Sequence, residues 1–187
     1  MSKKLVTRLV SQSFRRCEYA KMKIILGGDE RHGLGFTPEE LRNTAAHEAG
    51  HAIVGHLERP ATDEVHMVSI IPRGPALGVT VSLPESDRFS MRRSNLIGAI
   101  RMSLGGRAAE EIVFGDVTTG AQSDLKHAND LARAMVMHWG LSEELGLQVF
   151  MGPETILGEM RQHSEATAQR IDEAVAELRE IVDFLKT

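Results

Sequence analysis

Between Thr37 and Leu57 the chain carries a stretch that has to be a helix, and one that other elements can approach very closely. Thr37 offers a hydroxyl to the first unpaired N–H groups. Pro38 follows at the first helical position, where its missing N–H is no loss, and Glu39 and Glu40 set two carboxylates against the positive end of the helix dipole. The helix is expected from Pro38 to about Leu57. Its middle, Thr44-Ala45-Ala46-His47-Glu48-Ala49-Gly50-His51-Ala52, is dominated by small residues. Such a surface suits a buried site better than a solvent-facing one.

Inside that stretch His47-Glu48-Ala49-Gly50-His51 has the pattern H-E-x-x-H. Residues four apart stand on one helix face about one turn from each other, so both imidazoles can reach one ion. Glu48, beside the first of them, can reach a water at the same place. Zinc is the expected metal, and a catalytic zinc takes three protein ligands and keeps a fourth position open. The extended pattern H-E-x-x-H-x-x-G-x-x-H fails, because Val54 and Leu57 stand at its glycine and histidine places. His56, five residues past His51, is turned about 140° around the helix. The third ligand therefore belongs to a later element. Candidates are Glu110 and Glu111 in the run Gly105 to Glu111, and Asp124 and His127 in the run Thr118 to His127. Asp124 falls in the first turn of a helix introduced by a glycine-containing loop, which on spacing alone puts it only modestly ahead of Glu111.

The rest of the chain reads as a mainly helical α+β fold. Over 3–26, Leu5, Leu9, Phe14, Cys17 and Ile24 follow a helical period among basic residues, up to Gly27-Gly28. An amphipathic helix of this kind more often covers a core or docks on a partner than lies on a membrane. Strands are expected at Val65–Ile71 and Leu77–Leu83, forming a hairpin about Pro72-Arg73-Gly74-Pro75. Helices are expected at Ser90–Val113, at Ala121–His138 closed by Gly140, and at Glu165–Lys186, the later ones making a C-terminal helical bundle. Trp139 is expected to pack at the end of its helix.

Composition narrows the function. A chain of 187 residues, 42% hydrophobic and 26% charged, can bury a real core in one domain. Its 22 Lys and Arg against 26 Asp and Glu give a net charge of -4, so no basic field favours nucleic acid. Cys17 stands alone, which excludes an internal disulfide and a thiolate metal site and suits a reducing, cytoplasmic compartment. No apolar run approaches the ~20 residues needed to cross a bilayer, and the polar, basic start lacks the features of a signal peptide.

Several separated motifs follow one another along the chain: Gly27-Gly28-Asp29-Glu30-Arg31, Thr44 to Ala52, Ile70 to Gly74 with Ala76 to Thr80, Gly105 to Gly115, Thr118 to Leu125, and Leu131-Ala132-Arg133 through Trp139 to Ser142. In this order they resemble the peptidase domain of the FtsH family of AAA membrane proteases. The resemblance implies that the aspartate of Ser123-Asp124-Leu125 completes a zinc site, giving His47, His51 and Asp124 as ligands and Glu48 as the catalytic glutamate. Glu111 then reads as an acid near the site, either structural or supporting a ligating imidazole, whose outer N–H usually meets a carboxylate or carbonyl. The resemblance also implies an extended polypeptide substrate, which could add to an edge strand at Leu77–Val81.

Three features depart from the family. The chain has no G-x-x-x-x-G-K-[ST] phosphate loop and no membrane span, and Ala46 stands where an aromatic residue is common. Residues 1–36 are expected to be an N-terminal helix and linker, the remnant of a connection to an ATPase module, and 37–187 the zinc metallopeptidase domain. The expected function is a zinc-dependent endopeptidase acting without ATP on unfolded or flexible polypeptide. The alternative is a peptidase-derived subunit that needs a partner ATPase or an oligomer, such as the six-membered ring the resemblance suggests. A membrane would be met only through a partner or the N-terminal helix.

Overall fold

The computed structural model describes residues 35–73, 76–84, 89–150 and 165–180. The helix expected over 3–26, the turn residues Gly74 and Pro75, and the last turn expected up to Lys186 lie outside them. The described elements run α1 (Pro38–Leu57), β1 (Glu64–Ser69), β2 (Val79–Leu83), α2 (Arg93–Phe114), a 3-10 turn (Thr119–Ala121), α3 (Gln122–Met137) and α4 (Glu165–Glu180).

The start of α1 follows from its cap. Thr37 Oγ1 accepts the Glu40 N–H at 3.2 Å, and the Thr37 N–H donates to Glu40 Oε2 at 2.7 Å. This reciprocal pair satisfies two donors that the helix itself leaves unpaired. The expected hairpin is present as a two-stranded antiparallel sheet, with Ser69 opposite Val79 and Glu64 opposite Leu83. Its strands are shorter than expected, because Arg73 and Ala76 already exchange two backbone hydrogen bonds of 2.9 Å and close the turn. Along β1 exposed and half-buried residues alternate, and Val65 faces α1 at Gly55.

Helix α2 runs antiparallel to α1, and the two backbones touch at Gly50 and Gly105. A Cβ on Gly50 would lie 2.3 Å from the Gly105 carbonyl oxygen, so the small residues of α1 are what permit the approach. Past α1, Asn95 Nδ2 donates to the Ala61 carbonyl at 2.7 Å and Arg101 pairs with both oxygens of Glu58. The apolar core lies on the other side of α2. Leu96, Ile100 and Leu104 meet Ala128, Ala132, Met135 and Val136 of α3, with Leu145 closing the cluster. Helix α3 ends as expected at a left-handed Gly140, where the Leu141 N–H reaches back to the Met135 carbonyl. Trp139 departs from expectation: it is 49% exposed, because the chain turns away from the helix at the residue after it. Helix α4 packs on α3, and Arg170 ties it to Glu144. Among the described residues, no helix is long and apolar enough to cross a membrane.

Candidate metal centre

His47 and His51 project from one face of α1, and Asp124 meets them from the first turn of α3. His47 Nε2 lies 3.0 Å from His51 Nε2 and 3.2 Å from Asp124 Oδ2, and His51 Nε2 lies 3.6 Å from the same oxygen. A tetrahedral ion with bonds of about 2.0–2.1 Å, the zinc values, separates neighbouring ligand atoms by about 3.3–3.4 Å. The observed triangle has that size.

The outer nitrogens fix the tautomers. His51 Nδ1 is 2.7 Å from the Met102 carbonyl oxygen, which can only accept, so the ring hydrogen sits on Nδ1 and the Nε2 lone pair faces the site. His47 Nδ1 donates to Glu110 Oε1 at 2.6 Å. Two imidazole lone pairs and a carboxylate oxygen thus converge on one point, an arrangement that calls for a cation or a proton between them. Titration expresses the same demand. For His47, burial disfavours the charge, but the hydrogen bonds to Asp124 and Glu110 outweigh it and raise the pKa above the usual histidine value. For Asp124, burial acts upward, yet the hydrogen bonds from His47 and His51 hold the carboxyl well below the usual carboxylate range.

One stripe of α2 serves both rings. Met102, Gly106 and Glu110 are spaced by four, so they share a helix face. Met102 takes the His51 hydrogen, Gly106 leaves room for both rings, and Glu110 takes the His47 hydrogen. A Cβ on Gly106 would lie 2.6 Å from both His47 Cε1 and His51 Nε2. Glu110 is only 2% exposed, and its second oxygen accepts the Thr118 N–H at 2.7 Å. The same carboxylate therefore anchors α1 and the loop that delivers Asp124.

The expected role of Glu111 is corrected here. Glu111 is exposed, a quarter-turn off the stripe, and Glu110 accepts the imidazole hydrogen instead. No local signal distinguished the two acids, because the phase of α2 is set by Gly106 meeting the rings. His127 stands exposed in the wall of the cleft and is not among the three converging groups, while His56 and His66 are exposed elsewhere.

Glu48 is 7% exposed and turns toward β2 rather than α2. Thr80 Oγ1 lies 2.6 Å from Glu48 Oε2 and 3.1 Å from the Glu48 carbonyl oxygen. This contact was invisible in the sequence, since it joins a helix to a strand with no local pattern between them. A cleft of about 760 Å³ opens over the site, walled by α1, by Ala76–Thr80 of the hairpin and by Ser123 and Asp124 of α3. Ala46 is half-buried and does not line it.

Comparison with known proteins gives the family of the chain. The sequence model of Peptidase family M41 matches residues 35–183. The ATP-dependent zinc metalloprotease FtsH of Rubrobacter xylanophilus is 48% identical over 167 residues, which covers 85% of this chain and 25% of the relative. FtsH 2 of Methylacidiphilum infernorum is 46% identical over 156 residues, covering 79% and 24%. FtsH 3 of Symbiobacterium thermophilum is 42% identical over 171 residues, covering 87% and 27%. The chain spans about a quarter of the length of these curated relatives.

Proposed function

The chain belongs to Peptidase family M41, and from that premise we propose that it is a zinc-dependent endopeptidase hydrolysing unfolded or flexible polypeptide, with residues 37–187 as its catalytic domain. The observation that carries the reading is the convergence of His47 Nε2, His51 Nε2 and Asp124 Oδ2, with both outer ring hydrogens committed elsewhere. His47, His51 and Asp124 would hold the metal. Zinc in such a site acts as a Lewis acid, polarising a peptide carbonyl and making water acidic enough to ionise near neutral pH.

The chain's own residues supply the rest. Glu48, one residue from His47 and facing the cleft, takes the proton from the attacking water and delivers it to the departing amide nitrogen. Its burial keeps the carboxylate from being dispersed into solvent. Glu110 and the Met102 carbonyl hold the two imidazoles in the orientation the metal needs. Strand β2 has one neighbour, β1, among the described residues, and Leu77 to Thr80 border the cleft. An extended substrate can pair with that edge through its backbone, which selects for an unfolded main chain with little demand on side chains.

The test is cleavage of casein by the purified chain without ATP, with zinc, beside Glu48→Gln and a chelated sample. Cleavage by the intact zinc form alone is expected, with Glu48→Gln slower by about 10²–10⁴. Stoichiometric zinc without cleavage would overturn ATP-independent activity. The reading would then pass to a subunit that works only with a partner ATPase or in an oligomer.

A further inference from the structure

Glu48 rests against the strand that borders the cleft, and Gly78, just before that strand, and Thr80 within it shape its position. At Gly78 an added Cβ would lie 2.7 Å from both Cγ and Oε1 of Glu48, so the absence of a side chain there lets the strand sit directly on the glutamate. Two residues on, Thr80 directs its hydroxyl at Glu48 Oε2 from 2.6 Å, with the Glu48 backbone oxygen at 3.1 Å as a weaker second acceptor. A hydroxyl has one hydrogen, and the short distance to a carboxylate oxygen is that of a charge-assisted bond. We propose that Thr80 is a positioning residue: its hydroxyl fixes the Glu48 carboxylate by occupying Oε2 and leaves Oε1 to receive the proton from water. The inference rests on the peptidase reading, in which Glu48 moves that proton.

The physical need is plain. A glutamate side chain has three free torsions, and misplacing a proton acceptor by about 1 Å can cost about 10²-fold in rate. Packing by Gly78 removes part of that freedom, and the Thr80 bond removes the rotation of the carboxylate that packing leaves. Because Thr80 lies on the strand proposed to pair with substrate, the placement of the peptide and of the proton acceptor share one support.

The experiment uses the full chain loaded with zinc, and compares Thr80→Val, which replaces the hydroxyl by a methyl, with Thr80→Ser, which keeps it. The expected result is a kcat about 10–100-fold lower for T80V with KM within about twofold, and T80S restored to within about threefold of wild type. Zinc affinity, read by competition with a chromophoric chelator, is expected to stay unchanged in both. A second readout needs no cleavage. Thr80→Val should lower the Tm of the metal-free protein by about 3–8 °C, and by much less in a Glu48→Ala background, where the partner is gone. If T80V does not fold, Thr80→Ala against Thr80→Ser carries the same comparison. Wild-type activity with T80V equally active, T80S as slow as T80V, or a Tm shift that persists without Glu48, would each overturn the inference alone. A wild type that binds zinc and cleaves nothing would overturn ATP-independent activity, and the inference would then stand or fall on the Tm comparison with and without Glu48.

Discussion

Helix α2 is one continuous helix with two different kinds of neighbour. One face packs Leu96, Ile100 and Leu104 against Ala132, Met135 and Val136 of α3, and that contact is apolar throughout. The other face presents Met102, Gly105, Gly106 and Glu110 to α1, where backbones touch and a buried carboxylate holds an imidazole and a loop N–H. The first face is stabilised by area removed from water, which tolerates small shifts in position. The second is held by directed hydrogen bonds and missing side chains, which fix positions closely and contribute little apolar burial. A metal site needs the second kind of contact, and the fold can carry it because the first kind supplies the stability next door.

The comparison can be broken first on the apolar face. Ile100 is fully buried, and Ile100→Ala is expected to cost about 2–5 kcal/mol in urea unfolding, while the folded protein keeps its zinc affinity. On the polar face the expectation reverses. Gly106→Ala places a methyl against both rings, at a strain of about 1–3 kcal/mol, and should weaken zinc binding about 10–100-fold with a smaller loss in urea. Glu110→Gln removes the charge facing His47 Nδ1, and a zinc affinity about 10-fold lower, by chelator competition, is expected. Equal effects of these substitutions on unfolding and on zinc binding would erase the distinction between the two faces.

The smallest effect sharpens the comparison by pH. In the metal-free protein His47 has a raised pKa, so the stability it contributes is fully present below its ordinary value near ~6.5 and is lost as pH rises through the raised one. Asp124 has a lowered pKa, so its contribution is present above about 4 and is lost as pH falls. The pair therefore stabilises most between about pH 4 and 6.5, where zinc must also displace a proton. At equal free zinc, the rise in Tm on adding metal is expected to be larger at pH 8 than at pH 5. The apolar face should show no such dependence, so Ile100→Ala should lower Tm similarly at both pH values.

The sequence made the zinc helix legible because its signals are local. Thr37, Pro38 and Glu40 specify the start, and the four-residue spacing puts His47 and His51 on one face. Asp124 was less legible: spacing put it only modestly ahead of Glu111, and the resemblance of Thr118 to Leu125 to a known family decided for it. Glu110 was missed by one position, since the rotation of α2 about its axis is set by Gly106 meeting the rings, a tertiary fact. Thr80 carried no signal at all, and neither did Met102, which contributes a backbone oxygen that its residue type does not announce. The bounds of the hairpin shifted for a related reason, because the exchange between Arg73 and Ala76 is set by the turn rather than by β-branched composition.

That Met102 oxygen has a consequence for inheritance. A codon change at position 110 can delete the acceptor that orients His47, whereas every amino acid at position 102 still brings a carbonyl to His51. One imidazole is thus exposed to mutation through its supporting partner, and the other is insured against it by the backbone common to all residues.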